Sequence, residues 1–381
     1  MHMKRSFYLA ALLGAGAAFV ALCLPAAAGA AQLPGPSPFG APVFAQTNDP
    51  SGNQIVSYVR TGSGLRQVGR YDTGGLGASI GGAIVDKLAS EGGLTYDARD
   101  QLLVGVNGGS NTISEFHAFG PFLGFRRVVP SGETTPVSVA VRGDLIYVLN
   151  AGGTGEVQGF HASTLAPIPG SERSLGLTPG LTPPFLNTPG QIGFTPDGRH
   201  LVVTTKANGS DIDVFGISFF GGLSSTPTVN ASATPVPFGF TFDRSGDLVV
   251  AEAGVSALTT YAVNGNGTLT ERGSVTDGQA ALCWVAGAGD RFFYGANAGS
   301  GSVTTYTIGA NGQPAVISTT PTDPGPIDLA ATPDGSALYV ETGGNDLIDS
   351  FTVSPTGSLV ATGSVSPELP GHTGLEGIAV G

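Results

Sequence analysis

The residues best suited to chemistry in this 381-residue chain are Lys206, Glu252, Asp328, Glu341 and Glu376. A lysine beside Glu252 or Glu341 can bind and polarise a lactone or related ester. Converging carboxylate and carbonyl oxygens can instead hold a hard cation such as Ca²⁺. Gln191, Asn48, Asn107, Asn150 and Asn297 would add neutral hydrogen-bonding groups, although asparagine at a strand corner also satisfies turn backbone on its own account. If neither chemistry operates, the same residues form a neutral recognition surface. His372 stands close to Glu376 and is the histidine placed to join them, whereas His117, His161 and His200 sit beside strand or turn residues at unrelated depths. Cys283, next to Trp284 in an apolar run, reads as a buried core thiol. No serine nucleophile elbow, Walker loop or zinc-ligand spacing is present.

What must position these groups is a repeat. Thr332-Pro-Asp-Gly335 is a turn before the strand Leu338-Tyr-Val340, followed by Phe351 and Pro355-Thr-Gly-Ser-Leu359. The same order recurs at Thr195-Pro-Asp-Gly198 with Phe215, and at Asp243-Arg-Ser-Gly246 with Tyr261 and Asn264-Gly-Asn-Gly-Thr-Leu269. Aligning the third-strand aromatic yields Tyr58, Phe116, Phe160, Phe215, Tyr261, Tyr306 and Phe351, with spacings of 58, 44, 55, 46, 45 and 45 residues. Seven copies near 45 residues, each with room for four short strands, predict an all-β, seven-bladed β-propeller. The two long spacings place insertions within 74–93 and 177–189, with a short helical turn expected over 86–90. The orphan apolar segment 374–380 should pair beside Val43–Gln46 and close the ring, removing two exposed sheet edges.

In that architecture the second-strand corners carry Asn48, Asn107, Asn150, Lys206, Glu252, Asn297 and Glu341. Inner-strand starts carry Gln191, Asp328 and Glu376. Both sets belong to one face, where they predict a polar, acidic funnel around the axis for a small molecule.

Composition limits the partners. Lys4 and Arg5 precede an apolar run from Phe7 to Leu24 and an Ala28-Gly29-Ala30 cleavage pattern, so residues 1–30 are expected to be a removed export signal. Residues 31–42 then form a flexible lead-in and 43–381 a single domain, secreted, monomeric and without a membrane span. Leu22 stands where a lipidated Cys23 would need a small residue. The signal holds two of the 16 basic residues and none of the 28 acids, so the remainder has a net charge of −14. No cluster of Lys and Arg exists to displace counterions, which excludes nucleic acid and disfavours anionic membranes. One cysteine is left after the signal, so no internal disulfide holds the fold.

The repeat resembles the lactonase-type seven-bladed propellers, which include bacterial 6-phosphogluconolactonases and fungal carboxymuconate cyclases. Val148-Leu-Asn-Ala-Gly152, Pro237-Phe-Gly-Phe240 and Ala281-Leu-Cys-Trp-Val285 resemble an exported actinobacterial branch of it. The resemblance implies the fold over 43–381 and a lactonase-like activity. It also implies an Arg-His pair after an inner-strand proline and a Glu at the next corner. Here Pro189-Gly190-Gln191 and Thr204-Thr-Lys-Ala207 occupy those places. Glutamine cannot exchange a proton near neutral pH, so the resemblance carries no catalytic set onto this chain. The functional expectation is therefore an exported small-molecule propeller that hydrolyses a neutral lactone or ester. Its rival is a non-catalytic extracellular binding or interaction propeller that has lost the family's His and Arg.

Overall fold

A computed structural model describes residues 41–289, 291–368 and 374–381. Among these, seven four-stranded antiparallel sheets stand around an axis. The first blade contains β1 (Pro42–Gln46), β2 (Gln54–Thr61) and β3 (Gly64–Asp72); the second contains β4 (Leu94–Asp97), β5 (Leu102–Asn107), β6 (Thr112–Phe119) and β7 (Phe122–Pro130). The third runs through β8 (Pro136–Arg142), β9 (Leu145–Asn150), β10 (Glu156–His161) and β11 (Arg173–Ser174). After α1 (Pro184–Asn187) come β12 (Ile192–Phe194), β13 (His200–Thr204), β14 (Asp211–Gly216) and β15 (Thr228–Ala231). The fifth blade is β16 (Pro237–Phe242), β17 (Leu248–Glu252), β18 (Ala257–Val263) and β19 (Leu269–Thr276). The sixth is β20 (Leu282–Ala288), β21 (Phe292–Asn297), β22 (Ser302–Ile308) and β23 (Pro314–Pro321). The seventh is β24 (Pro326–Ala331), β25 (Ala337–Thr342), β26 (Leu347–Val353) and β27 (Leu359–Val365), and β28 (Ile378–Val380) returns to the first sheet.

The turns of the repeat explain the strand ends. Thr195 and Thr332 each donate from Oγ1 to the aspartate two residues on, at 2.7 Å. Gly198 and Gly335 then take φ of 71° and 67°, where a side chain would be strained. All seven aligned aromatics lie on third strands and are at least 97% buried. They belong to apolar clusters that run between neighbouring blades, such as Phe44, Leu94, Leu103 and Phe116. Each sheet thus covers a face that it could not bury alone.

Ring closure has the expected register: Val43, Phe44 and Ala45 pair with Val380, Ala379 and Ile378. Backbone bonds of 3.0 Å from Gln46 N to Gly377 O and from Glu376 N to Gln46 O extend the seam. Leu375 beneath it is fully buried.

Four inner strands are bulged near their starts, at Pro136/Ser138, Pro237/Phe240, Leu282/Trp284 and Pro326/Leu329. A bulge removes a backbone group from the ladder, as at Val137 O, which accepts Ser90 Oγ, and Phe238 O, which accepts Thr204 Oγ1.

Candidate functional site

The axis is filled rather than open. Residues 74–93, the first insertion, cross it as irregular chain and bond to inner strands on several sides. Asn48 holds its entry, donating Nδ2 to Ala78 O (2.8 Å) and accepting Ala78 N–H (2.9 Å). Gly77 lies so close that a β-carbon would fall 1.9 Å from Asn48 O, so only glycine fits. Further along, Ser90 Oγ donates to Val137 O (2.8 Å), and Ser90 O accepts the Trp284 indole N–H (2.9 Å). Glu91 O accepts Ser138 Oγ (2.6 Å), and Glu91 N–H reaches Gly190 O (3.1 Å). Gly92 O accepts Val139 N–H and Gly93 O accepts Val106 N–H. This plug therefore ties together blades two, three, four and six. The expected helical turn at 86–90 does not form: Asp86 accepts the N–H groups of Ala89 (2.6 Å) and Ser90 (2.8 Å), and Ala89 takes a φ of 53°. A side-chain acceptor competing for local N–H groups closes the turn without a helix.

The acids predicted for the funnel meet beneath this plug. Asp328, Glu341 and Glu376 are buried and influence one another electrostatically, together with Asp86 and Glu91 from the plug itself. Burial, followed by their mutual repulsion, holds Glu91, Asp328, Glu341 and Glu376 well above the ordinary carboxyl range. Glu376 Oε2 accepts Leu88 N–H at 3.1 Å, and Glu341 Oε2 accepts Gly377 N–H at 3.1 Å. Glu91 Oε2 accepts the N–H of Val285 on the inner strand β20 at 3.3 Å. Asp86 and Glu91 were not singled out from sequence, because an irregular insertion gives no periodic cue to the axis. Two acids inside an apolar, glycine-rich insertion were the available signal. Among the described residues no three His, Cys, Asp or Glu side chains are arranged to hold a metal ion.

Lys206 is wholly buried beside this cluster. Its ammonium donates to Ala89 O (2.5 Å), Phe185 O (2.7 Å) and Thr188 Oγ1 (2.9 Å) and lies 5.1 Å from the Phe238 ring centre. Burial lowers it to about 7, against the opposing pull of Asp86, Cys283 and Glu376. All three of its hydrogens are engaged, so it is not free to polarise an ester.

The remaining sequence candidates stand outside the chamber lining and bond to neighbouring strands and corners. Glu252 stands apart from Lys206: its oxygens accept hydroxyls from Ser232 (2.5 Å), Thr234 (2.6 Å), Thr259 (2.6 Å) and Tyr261 (2.5 Å). Gln191 Oε1 accepts the bulge N–H of Phe240 at 2.5 Å, joining blades four and five. Asn107 donates to Thr112 and Ser114, Asn150 to Ser131 O, and Asn297 to Ser302 and Thr304. Asn297 thereby ties its own strand corner, whereas Asn150 reaches the end of blade two and Asn107 also accepts Asn53 Nδ2 from blade one. His372 lies outside the described residues.

What does open to the surface is apolar. A chamber of about 490 Å³ lies between the plug, the second insertion and blades five and six. Its walls include Ala89, Phe185, Phe238, Cys283 and Trp284, and among the described residues Asp86 is the only charged one that lines it. Phe238 and Trp284 pack with centres 5.1 Å apart at 60°. Ile84, 79% exposed, stands on its rim. Burial, then Asp86, pushes the Cys283 thiol up to about 12, which leaves it a poor nucleophile.

Fold and site together define a seven-bladed propeller with an internal plug and a small apolar chamber. Residues 251–372 match the family described as Lactonase, 7-bladed beta-propeller. Among solved structures, a candidate 6-phosphogluconolactonase from Bacteroides fragilis superposes with a TM-score of 0.69 at 16% identity, covering 90% of this chain and 98% of its own. A second candidate 6-phosphogluconolactonase, from Bacteroides uniformis, gives 0.70 at 17% identity over 90% and 99%. A periplasmic gluconolactonase from Pseudomonas aeruginosa gives 0.67 at 16% identity over 87% and 97%. At these identities the likeness establishes the fold, and the family match supports a lactonase-like propeller. No curated protein matches the sequence.

Proposed function

We propose that this chain is an exported, lactonase-like propeller of the actinobacterial type that captures a neutral, largely apolar small molecule without the acid–base chemistry of its relatives. The observation that carries this reading is the chamber, in which no Lys, Arg or His stands among the described lining residues and Asp86 is the single charge among them. A phosphorylated or carboxylated ligand would lose its hydration there with no cation to replace it. A neutral ring loses little and gains contact with Phe238, Trp284 and Phe185. Asp328, Glu341 and Glu376 are buried and stand outside the described lining of the chamber. A second reading, slow hydrolysis of a neutral lactone, is favoured by Asp86, the carboxyl among the described residues of the chamber wall and so a group able to take a proton from water.

Trp284 is the single tryptophan of the sequence, so its emission reports occupancy of the chamber directly. Titration with a neutral medium-chain δ-lactone should shift or quench that emission saturably, and 6-phosphogluconolactone should leave it unchanged. Efficient turnover of the phosphorylated lactone, or no response to any neutral ring, would overturn the proposal. Neutral-lactone turnover abolished by Asp86→Asn would select the second reading.

A further inference from the structure

Lys206 occupies an unusual place: a fully buried ammonium whose three acceptors come from two insertions that are far apart in sequence. Ala89 belongs to the plug, and Phe185 and Thr188 belong to the second insertion. The same two segments form part of the chamber wall, through Gly82–Asp86 and Ala89 on one side and Phe185 and Leu186 on the other. Few other bonds join them. Phe185 N–H reaches Gly81 O at 3.3 Å, and Glu91 N–H reaches Gly190 O at 3.1 Å. The second insertion is otherwise held from below, by Ala207 N–H to Leu186 O and by Asn208 to Asn187 O and Thr178 O.

We propose that Lys206 is a positioning residue that clasps the plug to the second insertion, so that the chamber holds its ligand only while the ammonium bridges the two. This rests on the chamber being the binding site. Burying a lysine costs free energy, and here the charge is offset by three short hydrogen bonds, by the Phe238 ring and by Asp86 and Glu376. The titratable groups facing it are Asp86 on the plug, Cys283 on β20 and Glu376 before β28. A folded-state value of about 7 means that the clasp is charged in mild acid and neutral in mild base. A neutral amine has one hydrogen fewer and loses the strength that charge adds to each bond. Closure therefore weakens as pH rises through 7.

The test uses the mature chain, Lys206→Met and two readouts. Binding of N-phenyl-1-naphthylamine, a neutral fluorophore excited by tryptophan emission, is measured from about pH 5.5 to about pH 8.5. Hydrogen exchange of the Glu91 and Ala207 amides, corrected for its intrinsic pH dependence, is followed over the same range. The wild type should lose roughly tenfold in affinity across this range, the equivalent of one or two weakened charge-assisted bonds. Exchange protection should fall with it. Lys206→Met should bind weakly and without pH dependence. Flat wild-type protection, or a Lys206→Met variant that keeps the wild-type profile, would overturn the clasp. If the fluorophore never binds but protection still falls through pH 7, the clasp stands and the chamber reading fails. Should Lys206→Met not fold, the wild-type exchange profile alone decides.

Discussion

Replacing Asp213 by asparagine should stabilise this protein in mild base and do nothing in acid. Asp213 lies on β14, is 3% exposed, and its Oδ1 has no hydrogen-bond partner. Burial, then the nearby Asp211, raises its carboxyl from 3.8 to about 7. The sign follows from proton counts. Between these two values the folded chain holds a proton that the unfolded chain has released, so stability falls as pH rises. Above the upper value the full difference applies, and moving a carboxyl from 3.8 to about 7 is equivalent to ~4 kcal/mol. Asparagine keeps the shape and one acceptor but must also be desolvated, so a gain of about 1–3 kcal/mol is expected near pH 8. Urea or thermal unfolding of wild type and Asp213→Asn at about pH 8 and about pH 3.5 measures it. An equal effect at both pH values, or a loss at the higher one, would refute the electrostatic account of this residue.

Two further outcomes concern the ring and the axis. Deleting residues 374–381 removes fully buried Leu375, nearly buried Ile378 and the seam bonds to Gln46. Apolar burial of two such side chains contributes about 3–6 kcal/mol, and opening two sheet edges adds to it, so the melting transition should collapse; an unchanged midpoint would exclude closure by this strand. Calcium should be thermodynamically silent. Melting curves with chelator and with millimolar Ca²⁺ should coincide, because a ligand bound only to the native state would separate them, and a calcium-dependent rise would restore the cation reading.

The blade repeat was legible because it is written in local chemistry. Thr-Pro-Asp-Gly turns, period-two apolar strands and one aromatic per third strand recur whatever lies across the ring, so blade number and the β28–β1 closure followed from spacing alone. Asp328, Glu341 and Glu376 could be assigned to one region for the same reason: each is tied to a fixed point of its own repeat. Glu252 shows the limit of that inference. It occupies the same repeat position as Lys206, yet four hydroxyls claim its oxygens, two from its own blade, one of them the Tyr261 aromatic of the repeat, and two from the connection that enters the blade. Only the tertiary structure decided what fills the axis. The insertion 74–93 has no periodicity; its path is held by hydrogen bonds to groups on blades distant in sequence. Once it passes through the ring, the acids are sealed in, Lys206 is held between two insertions, and the open site becomes apolar.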